Sequence, residues 1–209
     1  MSQIRIVVAD DHTIVLDGLC RLLESEFELV ATVTDGRALV AKVREVKPDV
    51  VIADVAMPFL NGLEALQQVR TAGLRTRFVF LTANSDISLA ARAFRLGASG
   101  YVLKHSATEE LTKAIREAMA GQTYITSSIA ADVLQNVLSG EGGDAGTNLT
   151  VREREVLQLV AEGHSIKEAA AILKVSPRTV EFHKRNITDK TGLHSTAELA
   201  RYAARNGFV

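Results

Sequence analysis

Five short, nearly unbroken apolar runs mark the first half of the chain: Ile4–Ala9, Glu28–Thr34, Val50–Ala53, Arg77–Leu81 and Gly100–Leu103. They are rich in Val, Ile, Leu and Phe, and most lack polar–apolar alternation. That pattern predicts β-strands covered on both faces. Between them the period changes to that of a helix. Val15, Leu16, Leu19, Leu22 and Leu23 share one helical face, as do Leu39, Val40 and Val43. Further helices are predicted over Leu63–Arg70, Ile87–Leu96 and Thr108–Met119.

Five strand–helix units in succession predict an α/β fold, a doubly wound five-stranded parallel sheet. The expected strand order is the flavodoxin-like 2-1-3-4-5. The pattern then breaks. Ser127–Leu138 places Ile129, Val133, Leu134 and Val137 at helical spacing, and "SGEGGDAGTN" follows at 139–148. Four glycines in ten residues, with almost no apolar side chains, predict a flexible linker. The remainder is all-α, with four helices expected near 151–162, 166–173, 177–191 and 196–205. Thr150/Glu153, Ser165/Glu168 and Ser195/Glu198 each have capping-box spacing. Ser176 before Pro177 reads as an N-cap with Pro at the first helical position, and Gly163 and Gly192 stand where helices should stop.

Composition adds limits. With 47% apolar and 23% charged residues over 209 positions, the chain can build the core of one large domain or of two modest ones. Cys20 is the only cysteine, which excludes an intrachain disulfide and suits a reducing compartment. No apolar run approaches membrane-spanning length, and "MSQIRIVV" lacks the pattern of a secretion signal, so a cytoplasmic location without membrane attachment is expected. The net charge of −1 is unevenly spread: residues 1–146 carry 14 Lys+Arg against 18 Asp+Glu, and residues 147–209 carry 10 against 7. An acidic front and a mildly basic back fit two modules with different partners.

Ligands of open parallel sheets bind outside the carboxyl ends of the strands. Those ends carry Asp10 and Asp11 after strand one, Asp54 after strand three, Thr82 after strand four and Lys104 after strand five. Strand two ends in Thr34 and Asp35 but lies at the sheet edge. Three carboxylates together need a cation, and hard oxygen donors suit Mg²⁺. A carboxylate can act as nucleophile toward phosphorus, and Asp54, on the central strand, is the candidate. Taken singly, each residue has a simpler reading: Asp11 as the cap of a helix beginning near Thr13, Thr82 as a turn residue, Lys104 as a solvated cation.

"VVADDH", "VVIADVAMPFLNG", "FVFLTAN" and "GYVLKHSATEEL" together resemble, in order and spacing, the motifs of the CheY-like receiver domains of two-component response regulators. The resemblance covers about residues 3–120. It implies that Asp54 accepts a phosphoryl group from a sensor histidine kinase. It implies direct Mg²⁺ ligation by Asp11, Asp54 and the backbone carbonyl of Ala56, with Asp10 acting largely through water. Lys104 would pair with the phosphoryl group and Thr82 would hydrogen-bond to it. Tyr101 matches the switch aromatic, and Ala56 and Asn84 match positions that modulate dephosphorylation. Such a receiver assists its own phosphoryl transfer and loss without being a conventional enzyme. Pro58 and Gly62 read as turn residues shaping the loop after Asp54.

In the tail, "SIKEAAAILKVSPRTVEFHKRNITDKTG" reads as two helices joined by the turn "KVS". Val180 and Ile187 point inward with His183 and Lys184 between them, and Arg178, Glu181, Phe182, Arg185 and Asp189 point outward. Arg178, Lys184, Arg185 and Lys190 give the second helix a basic bias suited to phosphates. The stretch 149–205 is similar to the LuxR-type helix-turn-helix domain, joined here to a receiver as in the NarL/FixJ group. The resemblance implies that the helix from Pro177 enters the DNA major groove. Glu181, Phe182 and Arg185 would face bases, Thr179 and Lys190 would touch phosphates, and His183 would support packing. Phe182 could meet a thymine methyl or pack on sugars; Glu181 could accept from a cytosine amine or merely repel phosphates. Thr191 and Ala170 stand where the family often has larger aliphatic residues.

The implied protein is a phosphorylation-dependent transcription regulator binding double-stranded operator DNA, as a homodimer when phosphorylated. Its expected division is a receiver over 1–125, a linker helix and flexible linker over 126–148, and a DNA-binding domain over 149–209. A phosphatase of the haloacid-dehalogenase type is disfavoured, because its second aspartate would stand where Ala56 does. A nucleotide- or flavin-binding sheet is disfavoured because "DDHT" offers no glycine-rich cradle. A regulator that binds DNA without phosphorylation stays open.

Overall fold

The computed structural model describes residues 3–139 and 149–209. The stretch 140–148, which makes up nearly all of the predicted linker, lies outside the described residues. The elements are β1 (Arg5–Ala9), α1 (Thr13–Leu23), β2 (Glu28–Val33), α2 (Gly36–Val46), β3 (Val50–Ala53), α3 (Gly62–Thr71), β4 (Arg77–Thr82), α4 (Ile87–Arg95), β5 (Gly100–Leu103), α5 (Ala107–Met119), β6 (Tyr124–Ile125) and α6 (Ser127–Ser139). Four helices follow: α7 (Val151–Ala161), α8 (Ile166–Leu173), α9 (Pro177–Thr191) and α10 (Thr196–Arg205). The chain divides into two compact units, the first holding β1 to α6 and the second α7 to α10. Among the described residues no helix is long and apolar enough to cross a membrane.

The first unit is a parallel sheet in the order β2-β1-β3-β4-β5-β6. Its central strands lack alternation because both faces are covered. Leu16, Leu19 and Leu23 of α1 and Leu111, Ala114, Ile115 and Ala118 of α5 pack on Ile6, Val8, Val50, Ile52, Val79, Leu81 and Val102. The alternate positions Val7, Val51, Phe78, Phe80 and Tyr101 are equally buried on the other face. There the Phe80 ring borders Gly62 at the start of α3, and Phe94 of α4 approaches the Tyr101 ring. Each large apolar side chain so buried contributes roughly 1.5–3 kcal/mol.

The expectation of five strands is corrected to six. β6 pairs Tyr124 with Gly100 and Ile125 with Tyr101. Two residues are too few to show a period, so no pattern in the sequence marks them as a strand. Thr126 secures the junction that follows. Its N–H donates to the Tyr101 carbonyl at 3.0 Å. Its hydroxyl accepts from the Leu103 N–H at 3.1 Å and donates to Glu110 at 2.6 Å. The helix α6, which the sequence analysis assigns to the linker, belongs to this first unit and packs along α4, with Ile129 and Val133 buried.

The second unit is assembled from local signals. Thr150/Glu153, Ser165/Glu168 and Ser195/Glu198 all close capping boxes, satisfying N–H groups that a helix start leaves unpaired. Ser176 accepts from the Thr179 N–H, with Pro177 opening α9. Gly192 ends α9 at φ +70°, where a Cβ would be strained. Val156, Leu159, Ala169, Leu173, Val180, Ile187, Leu199 and Phe208 form the core. The Thr191 hydroxyl donates to the Ile187 carbonyl at 2.7 Å and accepts from the Leu193 N–H at 3.3 Å. A larger aliphatic at that position would give up both bonds.

Gly62 sits where the loop after β3 folds back. A Cβ there would lie 2.3 Å from the Asp54 carbonyl oxygen and 2.9 Å from the Phe80 ring. Gly62→Ala is therefore expected to destabilise the first unit by about 1–3 kcal/mol in urea unfolding, as overpacking does, although Ala is the better helix former. Unchanged or increased stability would show that the loop relaxes freely.

Candidate functional site

Parallel pairing brings the strand ends to one edge of the sheet. Ala9 aligns with Ala53, Ala53 with Phe80, and Thr82 with Leu103. The next residues of β1, β3 and β5 are thus Asp10, Asp54 and Lys104, beside Thr82 at the end of β4. Asp10 is 1% exposed and Asp54 6%. Lys104 Nζ lies 2.5 Å from Asp54 Oδ2 and 2.7 Å from Asp10 Oδ2. Asp54 Oδ1 also accepts from the Ala56 N–H at 3.3 Å.

These contacts set the protonation balance. Burial pushes the Asp54 carboxyl above its ordinary value; the Lys104 ammonium pulls it down without cancelling the rise, and Asp10 adds to it. Burial opposes the charge on Lys104, but its hydrogen bonds to Asp10 and Asp54, with their charges, hold its ammonium above the usual lysine value. The ammonium is thus held between the two carboxylates, and burial leaves Asp54 more basic than an ordinary carboxylate.

Asp11 does not cap α1. His12 is the N-cap and makes no side-chain cap bond, and Asp11 is exposed beside the site. The role of His12 is not evident from the sequence, where only adjacency points to it. Its N–H donates to Asp10 Oδ1 at 3.0 Å, and its ring Nδ1 lies 2.9 Å from Asp11 Oδ1. Asp10, Asp11, His12 and Asp54 each offer one ligand atom within 4.8 Å of the others. Three carboxylates against one ammonium leave an oxygen-rich, net negative cluster, a donor set that fits Mg²⁺. Asp35 stands apart as the N-cap of α2.

Thr82 is buried, and its hydroxyl accepts from the Asn84 N–H at 3.1 Å. Tyr101 is fully buried between Phe80 and Phe94, and its hydroxyl donates to the Asn84 carbonyl at 3.1 Å. Burial, with Asp86 and Asp54 nearby, drives its phenol well above the ordinary value. Ala56 is exposed in the loop after Asp54.

In the second unit α9 buries Val180 and Ile187 and exposes Arg178, Glu181, Phe182, Arg185 and Asp189. His183 and Lys184 are half-buried between the two faces. Thr179 is engaged at the helix start, its hydroxyl 2.8 Å from that of Ser176. Lys190 forms an ion pair of 2.7 Å with Glu153, the acidic member of the α7 capping box. Burial would raise the Glu153 carboxyl, yet Lys190 and the Thr150 donors hold it below the ordinary value. Four of the seven candidate DNA-contacting residues, Arg178, Glu181, Phe182 and Arg185, thus share the open face.

Comparison with known proteins covers both units. A family model described as the response regulator receiver domain matches residues 6–116, and one described as bacterial regulatory proteins of the luxR family matches residues 147–203. The oxygen regulatory protein NreC of Staphylococcus aureus (strain JH9) is 37% identical over 210 residues, covering 96% of this chain and 97% of that protein. RcsB from Salmonella enterica serovar Typhimurium, bound to promoter P1flhDC in the presence of phosphomimetic BeF3−, matches with TM-score 0.63 and 27% identity over 98% of this chain and 100% of that one. A structure of two RcsB dimers bound to two parallel DNAs matches with TM-score 0.60 and 25% identity over 97% of this chain and 98% of that one.

The raised Asp54 carboxyl has a stability consequence. Its ionised form is less favourable in the fold than in the unfolded chain, so the cost is fully present above the folded value and disappears as pH falls through it. Without divalent cation, Asp54→Asn is expected to melt a few degrees above wild type near neutral pH, with the gap closing on acidification. A gap that widens toward acid pH, followed by calorimetry, would reverse the assignment.

Proposed function

Because the chain belongs to the response regulators that join a receiver domain to a LuxR-type DNA-binding domain, we propose that Asp54 accepts a phosphoryl group from a sensor histidine kinase and that this event controls DNA binding through α9. The observation that carries the reading is the ammonium of Lys104 held between Asp54 and Asp10 at the sheet edge. Residues 1–125, with α6 packed against them, receive the signal, the stretch from α6 to 148 links, and 149–209 bind DNA. The protein acts in the cytoplasm, where its kinase and its DNA are accessible to it.

In the reaction an Asp54 carboxylate oxygen attacks phosphorus, the bond from phosphorus to the kinase imidazole breaks, and that nitrogen keeps the electron pair and takes a proton. An acyl phosphate results. Lys104 already touches the nucleophile and would follow the charge onto a phosphoryl oxygen, while Thr82 would donate its hydroxyl to another. Asp11, Asp54 and the Ala56 carbonyl, with Asp10 through water, would hold Mg²⁺, which offsets charge on the phosphoryl oxygens. A shift of Thr82 displaces Asn84, whose carbonyl is the acceptor of the Tyr101 hydroxyl. Tyr101 is thereby the residue through which occupancy of Asp54 changes the packing around α4.

The relative bound to promoter DNA in the presence of a phosphomimetic, and the one described as dimers on DNA, support a homodimer on two half-sites after phosphorylation. Arg178, Glu181, Phe182 and Arg185 form the contact face of α9, with Thr179, Lys184 and Lys190 at its margin.

With Mg²⁺ and acetyl phosphate, the protein is expected to gain the mass of one phosphoryl group and Asp54→Ala none. Folded, metal-loaded wild type that gains nothing would end the switch reading. Arg185→Ala is expected to cost about 1–3 kcal/mol of operator binding at fixed salt; equal affinity would place the contact face elsewhere on α9.

A further inference from the structure

Asp10 and Asp11 are neighbours in the chain, and their carboxylates repel each other at the end of β1. His12 follows them and stands at the N-cap of α1, where a side chain ordinarily accepts a hydrogen bond from the first turn. It makes no such bond. Its ring turns back instead. Nδ1 lies 2.9 Å from Asp11 Oδ1 and 3.2 Å from Asp10 Oδ1, and the His12 backbone N–H donates to the same Asp10 oxygen at 3.0 Å. The other Asp10 oxygen meets Lys104 Nζ at 2.7 Å. Asp10 is thus buried and held from both sides, whereas Asp11 is exposed. Among the described residues, His12 is the one donor within reach of the Asp11 carboxylate.

The partners fix where the ring carries its hydrogen. Both oxygens beside Nδ1 belong to carboxylates, which accept, so Nδ1 is the protonated nitrogen and has no lone pair to offer a metal. We infer that His12 is a positioning residue: its Nδ1–H, set between Asp10 and Asp11, holds the exposed Asp11 carboxylate in place as a cation ligand. The inference rests on the proposed Mg²⁺ site and deepens it. An exposed aspartate rotates freely into solvent, and freezing that rotation on binding costs affinity. A carboxylate already turned toward the site avoids the cost, which is how outer-shell partners of metal ligands act. Two simpler roles fit less well. The ring does not cap α1. Direct ligation through Nδ1 would require the lone pair that its hydrogen occupies, and an imidazole suits transition ions better than Mg²⁺.

The test separates positioning from folding in the full chain. Serine is a preferred N-cap, so His12→Ser should melt at or above the wild-type temperature. Its Mg²⁺ affinity, measured by isothermal titration calorimetry at fixed pH and salt, should nevertheless fall about ten-fold. His12→Phe keeps a ring of similar bulk without the donor and should lose affinity to the same extent. In wild type labelled with ¹⁵N-histidine and loaded with Mn²⁺, pulsed electron paramagnetic resonance should show no directly bound nitrogen. Variants that bind Mg²⁺ as tightly as wild type, or more tightly, overturn the inference while leaving the cation site in place. A fall in affinity of His12→Ser matched by a fall in melting temperature makes His12 a structural residue and overturns it too. A bound-nitrogen coupling does the same, by making His12 itself a ligand. Wild type that takes up no Mg²⁺ overturns the cation site and the inference with it.

Discussion

The site depends on one cation placed between two buried carboxylates. Asp10 and Asp54 leave adjacent parallel strands at the same level, where desolvation and mutual repulsion both oppose their charges. Lys104 reaches both from the end of β5, two strands beyond β3 in the sheet order. The register of β1, β3, β4 and β5 is therefore as much a part of the chemistry as the side chains. A slip in any one pairing would leave a carboxylate buried without its partner, at a cost of several kcal/mol.

The same arrangement explains why the edge is reactive and still folded. A nucleophile that is already satisfied would be inert, and one with no partner would be protonated. Asp54 lies between these limits: burial makes it more basic, and Lys104 opposes that rise. The exposed Asp11 brings a third carboxylate to the same end of the sheet, and the close fit of Gly62 against the Asp54 carbonyl fixes the loop from which the nucleophile projects.

Most of the fold was legible because its signals are local. Continuous apolar runs gave the five main strands, and Ser or Thr three residues ahead of Glu gave the starts of three helices, all within about a residue of the observed positions. What was not legible depends on pairing at a distance. β6 is too short to have a period and exists only because Gly100 and Tyr101 present a free edge to it. The assignment of α6 to the first unit follows from its packing along α4, whereas its sequence resembles any short amphipathic helix. Lys190 has the sequence position of a phosphate contact, yet it spans 37 residues to meet Glu153. His12 carries no such signal, because adjacency to two aspartates does not say which way an imidazole turns. The convergence of Asp10, Asp54, Thr82 and Lys104, by contrast, followed from parallel topology alone, since every strand in such a sheet ends on the same side.

Thr126 couples α6 to the strand that ends at the site. Its amide is held by the carbonyl of Tyr101 and its hydroxyl by the amide of Leu103, so the residue before α6 rides on β5, whose end carries Lys104. At 1.5 Å per residue, the 13 residues of α6 extend about 20 Å from that junction. Because α6 also packs along α4, this helix is tied at its base to the strand that carries Tyr101 and Lys104 and along its side to the helix whose Phe94 meets the Tyr101 ring.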